Sequence, residues 1–377
     1  MARSAQGGHA QSDSNSFCFA EATKSRSLLV QPFNDDDHTM QPSKNEQVTP
    51  ERLLGFGFAY APPLLIAAAV NNKVFDSLEQ GPKTAAQISK ETGSSERGLR
   101  MIMNALVGLE LLGKNHNEYS LMPESRAFLL SNKPGSLAGF FGLNTMQLVP
   151  KWAQLDEVVR TGRPAMAANK EGEGTEFFSG LVENIMPMSF PSAQTLGDHL
   201  ELAKAKQPVQ VLDIAAGSGI WGIVLAQKSP QVRVTAVDWS GMIPTTKRIT
   251  QRFGVADRFK FVEGDILEAD FGTGYDVATL GHILHSEGEE RSRRLLKKTF
   301  SALKSGGTIA IAEWLVNDDR TEPLPGLMFA VNMLVNTEKG DTFSFNQIKS
   351  WLEEAGFKDA RTVDTPTHSP LILATKP

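Results

Sequence analysis

The stretch Val209–Gly222, VQVLDIAAGSGIWG, constrains this chain more than any other. An apolar run (Val209, Val211, Leu212, Ile214) ends in a turn holding Gly217, Gly219 and Gly222, and an apolar stretch of helical character, Ile223–Ala226, follows. The pattern reads as strand, glycine turn, helix. Glycine lets the backbone turn sharply and lets a ligand come close. The helix start offers N–H groups to a negatively charged ligand group. An acid, Asp238, stands at the end of the next apolar run, Arg233–Val237. That is the spacing at which a carboxylate meets a ribose hydroxyl pair in nucleotide-binding α/β folds.

Gly217–Gly222 is by itself a GxGxxG string and suits NAD as readily as other nucleotides. The discriminating residue is Asp213, inside the strand and just before the glycines. A carboxylate there repels a pyrophosphate and attracts a ligand carrying an amino group and a sulfonium. S-adenosylmethionine is such a ligand, and its carboxylate can still use backbone donors at the turn. Glycines that merely pack helix on strand would explain neither acid.

Bulk properties narrow the class. A chain of 377 residues has room for about two domains with real cores. Hydrophobic residues at 41 % and charged residues at 21 % place it among soluble globular proteins, with the cytoplasm as default location. A formal net charge of −5 gives no footprint for nucleic acid or an anionic membrane. One cysteine, Cys18, leaves neither an intrachain disulfide nor a cysteine metal cluster, and the seven histidines lack metal-ligand spacing. No metal site is expected. No apolar run is read as long enough to cross a membrane, and the N-terminus has no secretory h-region.

Taken in order, residues 1–45 are rich in Ser, Gln, Asn, Asp and Gly and are expected to be disordered, with Met40 an alternative start. Thr49-Pro50 opens a helix. The following stretch, Leu53–Val70, is too apolar for a lone surface helix and is expected to pack on a second subunit or fill a helical core. Thr84–Leu121 reads as helix, turn, helix, hairpin, a winged-helix shape. Its second helix carries only Arg97 and Arg100 as bases beside Glu96, which favours a dimerisation scaffold over a DNA-binding regulator. Leu137–Ala153 and Gly180–His199 predict further helices around a surface excursion at Thr161–Thr175. Phe178 and Met186 suit either core or the wall of an apolar ligand pocket. From Pro208 strands and helices alternate, which predicts a mainly parallel sheet with helices on both faces and a ligand crevice at the carboxyl ends of the strands.

At that edge Asp265 is placed to receive an adenine amino group, with Ile266 on the ring; a turn cap is the plainer reading. Trp239 covers the adenine or is core. His285, just past a strand end, is placed to take a proton from a phenol or enol as its oxygen attacks a methyl group. His282 competes for that role but sits on the strand-end segment, where packing is the better reading.

Residues 50–377 resemble the S-adenosylmethionine-dependent small-molecule O-methyltransferases of the plant caffeate and bacterial antibiotic type. The resemblance is carried in order by VLDIAAGSG (Val211–Gly219), AVDWS (Ala236–Ser240), EGDIL (Glu263–Leu267), ILHSEGEE (Ile283–Glu290), LKSGGTIAIAE (Leu303–Glu313) and WLEEAGF (Trp351–Phe357). It implies a seven-stranded Rossmann-like methyltransferase sheet, a helical, winged-helix-like N-terminal part forming a homodimer, and no metal. It implies further that Gly217, Asp238, Asp265 and Ile266 hold S-adenosylmethionine and that His285 is the general base. The organisation expected is a tail at 1–45, a dimerisation and substrate-lining part at 46–200 and a catalytic domain at 201–377. Asp213, Gly219 and Trp239 join the cofactor set, and Phe329, Asn332, Met333 and Asn336 join Phe178 and Met186 around a small acceptor. Three positions depart from the family. Ser286 replaces an Asp after the base, Gly281 replaces a Lys four residues before it, and Thr342 replaces a supporting Glu. Glu287, Glu289, Glu313 and Glu338 are the candidates to orient His285. Carbon or nitrogen methylation, and non-methylating chemistry with the same cofactor, stay open as alternatives.

Overall fold

The computed structural model describes residues 48–377, so the tail, Cys18 and Met40 lie outside the described residues. The chain divides into a short unit ending at Gly55 and a large one, Phe56–Pro377.

The helical start is two pieces, α1 (Glu51–Phe56) and α2 (Ala61–Asn71), separated by a turn and with prolines at the first positions of α2. Together, Glu51–Asn71 is a 21-residue stretch that passes as membrane-spanning by length and composition alone. That corrects the expectation of no such run. The glycines and prolines that interrupt it hid the continuity of its apolar character.

After α3 (Val74–Ser77) come β1 (Lys83–Thr84), α4 (Ala85–Thr92), α5 (Glu96–Gly108), β2 (Leu112–Asn115), β3 (Glu118–Leu121) and α6 (Pro123–Phe128). Thr84 and Gln87 form a capping box on α4, and Ser95 caps α5 by accepting from the Gly98 N–H. The strands form a small antiparallel sheet, β1-β3-β2, completing the winged-helix shape. Its core is a cluster of its own, with Phe75, Ile88, Leu99, Met103 and Leu106 buried.

A π-helical turn at Phe140–Asn144 leads into α7 (Thr145–Trp152) and α8 (Leu155–Thr161). The long helix α9 (Glu171–His199) starts nine residues earlier than its apolar pattern at Gly180 suggests. Glycine and charge in its first turns hide the helical period.

The sheet follows: β4 (Val209–Ile214), α10 (Ile220–Lys228), β5 (Val232–Asp238), α11 (Ile243–Arg252), β6 (Phe259–Glu263), β7 (Tyr275–Gly281), α12 (Leu284–Ala302) and β8 (Leu303–Ala312). A short parallel pair, β9 (Leu315–Val316) and β10 (Phe343–Ser344), flanks α13 (Leu324–Asn336), and α14 (Phe345–Ala355) precedes β11 (Lys358–Val363) and β12 (Leu371–Thr375). The seven strands run in the order β11-β12-β8-β7-β4-β5-β6, and only β12 pairs antiparallel, with β8 and β11. Alternate residues fill opposite faces, as a strand's period of two requires. Val211, Val234, Val277 and Ala310 join one core with α9 and α10. Leu212, Val237, Ala278 and Ile309 join the other with α12 and α14. Burial on both faces explains why the middle of these strands is mostly apolar, with residues such as Gln210, Arg233, Lys260 and Asp276 near the strand starts. Reversal of strand order beside β4 opens a crevice at its carboxyl end.

Candidate active site

Asp213 lies fully inside β4. One carboxylate oxygen accepts the Gly222 N–H at 3.0 Å and the other the Thr279 hydroxyl at 2.8 Å, from the neighbouring strand. Asp238, the last residue of β5, accepts the Gly217 N–H at 2.7 Å and the Trp239 N–H at 2.8 Å. Burial pushes the Asp213 carboxyl up to about 7 and the Asp238 carboxyl up to about 6, against the hydrogen bonds that favour their charged forms. Gly217 and Gly219 both have positive φ, 54° and 75°, which glycine adopts without strain. The N–H groups of Gly217 and Gly222 are not offered to a ligand anion, because the two aspartates hold them. Two buried carboxylates spending the turn's donors make a poor cradle for a diphosphate and a good one for a cation.

Asp265, beyond β6, accepts the Leu267 N–H at 2.8 Å, the plain cap reading, and also pairs with Arg291 at 2.7 Å. Ile266 is buried in the second sheet core. Trp239 packs against α9: a Cβ on Gly174 would overlap its indole.

His285 stands in the first turn of α12, nearly buried. Its Nδ1 lies 2.7 Å from Glu313, one residue past β8, and its backbone N–H is 3.3 Å from the other oxygen of that carboxylate. Burial alone would push the Glu313 carboxyl up, but His285, with His282 nearby, offsets this and holds it below its ordinary value. The ionised carboxylate only accepts, so Nδ1 carries a hydrogen toward Glu313; in the neutral form of the ring the lone pair then lies on Nε2. Of the four candidate partners only Glu313 touches the imidazole. Glu287 pairs with Arg291, Glu289 with Arg293 and Glu338 with Lys170. Ser286 bonds back to the Ile283 carbonyl, and the Thr342 hydroxyl is buried without a partner. His282 bonds Ser369 at 3.0 Å, and burial pushes it down to about 4. Gly281 has its own reason: the Trp221 indole fills the space that any side chain there would need.

Phe329 of α13 meets the His285 ring edge-on at 4.9 Å and stacks on Trp314 at 5.0 Å. One turn on, Asn332 accepts the Trp152 indole N–H at 3.0 Å, and the Asn336 amide donates to Asn332 at 3.1 Å. The Asn336 side-chain oxygen is buried with no donor. Met333 is buried on the same helix. Phe178 sits edge-on to Phe177 at 5.1 Å. Met186 belongs to the core cluster of α9, α10 and the sheet, with packing neighbours. Sequence reasoning passed over Trp314 and Trp152. Trp314 had a signal, since it directly follows the strand-end Glu313; Trp152 had none, because its role depends on α13. Among the described residues no three His, Cys, Asp or Glu side chains converge as a metal site would require.

A mixed seven-stranded sheet with buried acids at its glycine turn and a carboxylate-held histidine at the same edge defines a Rossmann-like methyltransferase. Residues 152–358 match the O-methyltransferase domain and residues 56–131 the O-methyltransferase dimerisation domain. The chain belongs to the O-methyltransferase family and is an enzyme that uses S-adenosylmethionine. It is 26 % identical over 305 residues to a 3-hydroxy-5-methyl-1-naphthoate 3-O-methyltransferase of Streptomyces sahachiroi, covering 79 % of this chain and 86 % of that one. An L-tyrosine C(3)-methyltransferase of Streptomyces lavendulae is 25 % identical over 324 residues, covering 82 % and 88 %. The solved structure of human N-acetylserotonin methyltransferase in complex with S-adenosylmethionine matches with a TM-score of 0.74 at 25 % identity, covering 89 % of this chain and 99 % of that one.

Proposed function

We propose that this enzyme methylates a hydroxyl oxygen of a small aromatic or polyketide-like molecule, with His285 as general base. The observation that carries this reading is the His285–Glu313 pair, which engages Nδ1 and leaves Nε2 as the ring nitrogen not held by Glu313, beside an aromatic wall. S-adenosylmethionine, when bound, supplies an electrophilic methyl group on a sulfonium. Asp213, Gly217, Gly219, Asp238, Trp239, Asp265 and Ile266 would hold it, the two buried aspartates supplying acidic groups beside its positive charge. His285 Nε2 would take the acceptor hydroxyl's proton while that oxygen forms its bond to the methyl carbon, the methyl–sulfur bond breaking with its electron pair left on the departing neutral thioether, S-adenosylhomocysteine. Glu313 stabilises the imidazolium through Nδ1. Methyl transfer asks little more than alignment and a deprotonated nucleophile, so positioning and proton removal carry the catalysis.

Phe329, Met333 and Phe178 supply apolar surface for a flat acceptor and Asn332 and Asn336 supply amides, whereas Met186, expected beside them, is taken up by the core. An unmatched buried amide oxygen, such as that of Asn336, favours an acceptor with a second hydroxyl or N–H group. The dimerisation domain, together with the exposed apolar residues of α1 and of the turn after it, supports a homodimer.

The test is His285→Ala against a panel of phenols and enols. It should cut kcat by about 10²–10⁴-fold while S-adenosylhomocysteine binds as in the wild type. Unchanged kcat on the acceptor that the wild type turns over removes the base. A wild-type enzyme that transfers methyl only to carbon or nitrogen acceptors removes the hydroxyl.

A further inference from the structure

Helix α12 is not one helix. Gly288 interrupts it with φ 74° and ψ 172°, so the turn bearing His285 and Glu287 is set apart from the rest. Arg291, on the far side of that break, reaches back to Glu287 with Nε at 2.5 Å. A different nitrogen of the same guanidinium reaches Asp265 at 2.7 Å, on the loop after β6. The two ends of this bridge differ. Glu287 is 5 % exposed, whereas the side chains of Arg291 and Asp265 are each about a third exposed, 36 % and 34 %.

An exposed ion pair contributes little. Here a buried carboxylate fixes the guanidinium, because leaving Glu287 unpaired in that surrounding is costly. The planar fork then presents its other donor to Asp265 in a set direction. Asp265 is held from both sides, by the Leu267 N–H on one oxygen and Arg291 on the other. Each carboxylate oxygen has a second lone pair. One donor more can be received on the open side without moving the group.

We propose that Arg291 is a positioning residue for the cofactor: anchored on Glu287, it holds the Asp265 carboxylate ready for the adenine amino group and ties that end of the crevice to the turn carrying His285. The proposal rests on the reading that Asp265 meets the adenine. A ligand arriving at Asp265 finds an oriented acceptor, so less ordering is needed on binding.

The experiment measures S-adenosylhomocysteine affinity by calorimetry, and KM for S-adenosylmethionine against kcat. Arg291→Lys keeps the charge but lacks the fork; it should weaken affinity and raise KM about tenfold, with kcat within about twofold. Asp265→Asn should weaken affinity by a similar factor, and the double variant should be no worse than either single one, because both act on one contact. In the Arg291→Ala/Glu287→Gln pair the buried charge is gone and thermal stability should return, yet affinity should stay low. Wild-type affinity in Arg291→Lys beside a weakened Asp265→Asn overturns the inference alone. Wild-type affinity in Asp265→Asn overturns the adenine reading, and the inference with it. Affinity restored together with stability in the double variant reduces Arg291 to a structural counter-ion and overturns the inference too.

Discussion

His285 shows how little a residue's identity says without its neighbours. Its proposed role rests on Glu313 taking one nitrogen and on the aromatic wall that faces the ring. Glu313 lies 28 positions away, and three other glutamates were equal candidates until the fold paired each with an arginine or lysine. The aspartates at the glycine turn yield a prediction of sign. Their folded values, about 7 for Asp213 and about 6 for Asp238, exceed the ordinary 3.8. Between pH about 4 and 7 these two groups therefore hold more protons folded than unfolded, and their contribution to stability falls as pH rises through that window. A bound cation favours their charged forms. Binding of S-adenosylmethionine at pH 6.5 should therefore release protons and should tighten from pH 5.5 to 7.5, with a smaller release in Asp238→Asn. Calorimetry in buffers of different ionisation enthalpy reads this directly; zero release would speak against the electrostatic role.

Among the elements, α12 carries the most information. Its break at Gly288 lets the His285 turn face the crevice while the following helix covers the sheet. The break is itself packed: a Cβ at Gly288 would overlap the Lys339 carbonyl, and the Asp341 N–H donates to the His285 carbonyl at 2.8 Å. The dihedral pair there is one that only glycine adopts readily. Gly288→Ala should destabilise the protein by about 1–3 kcal/mol and lower kcat more than it changes cofactor affinity, read by thermal melting and steady-state kinetics. A variant with unaltered melting temperature and kcat would show that the break is not needed. Gly281 teaches a related point. The family's Lys is missing because Trp221, within the glycine turn, occupies its place, a coupling between distant positions that no local pattern reveals.

For the whole molecule, the N-terminal apolar stretch is the surface on which an assembly prediction rests. Leu53, Leu54, Phe56, Phe58 and Tyr60 are each 60–72 % exposed in the single chain. So many large apolar side chains close together in sequence mark an interaction surface. A second copy is the occupant that the dimerisation domain supports. Sedimentation should give a dimer at micromolar concentration, and Phe58→Asp should shift it toward monomer. A wild-type monomer under those conditions rules out this use of the surface.

The amino-acid sequence by itself determined the sheet and its ligand edge. Strands buried on both faces are mostly apolar, and a glycine turn after the first of them admits few alternatives. It also brought Asp213, Asp238, Asp265 and His285 to one edge, because each lies in or just beyond the carboxyl end of a strand in a mainly parallel sheet. Only the tertiary structure decided which glutamate orients the histidine, that the turn's N–H groups are spent on aspartates, and that Arg291 joins two loops. Such pairings depend on distances between side chains far apart in the chain, and their cost or gain exists only once water has been excluded around them.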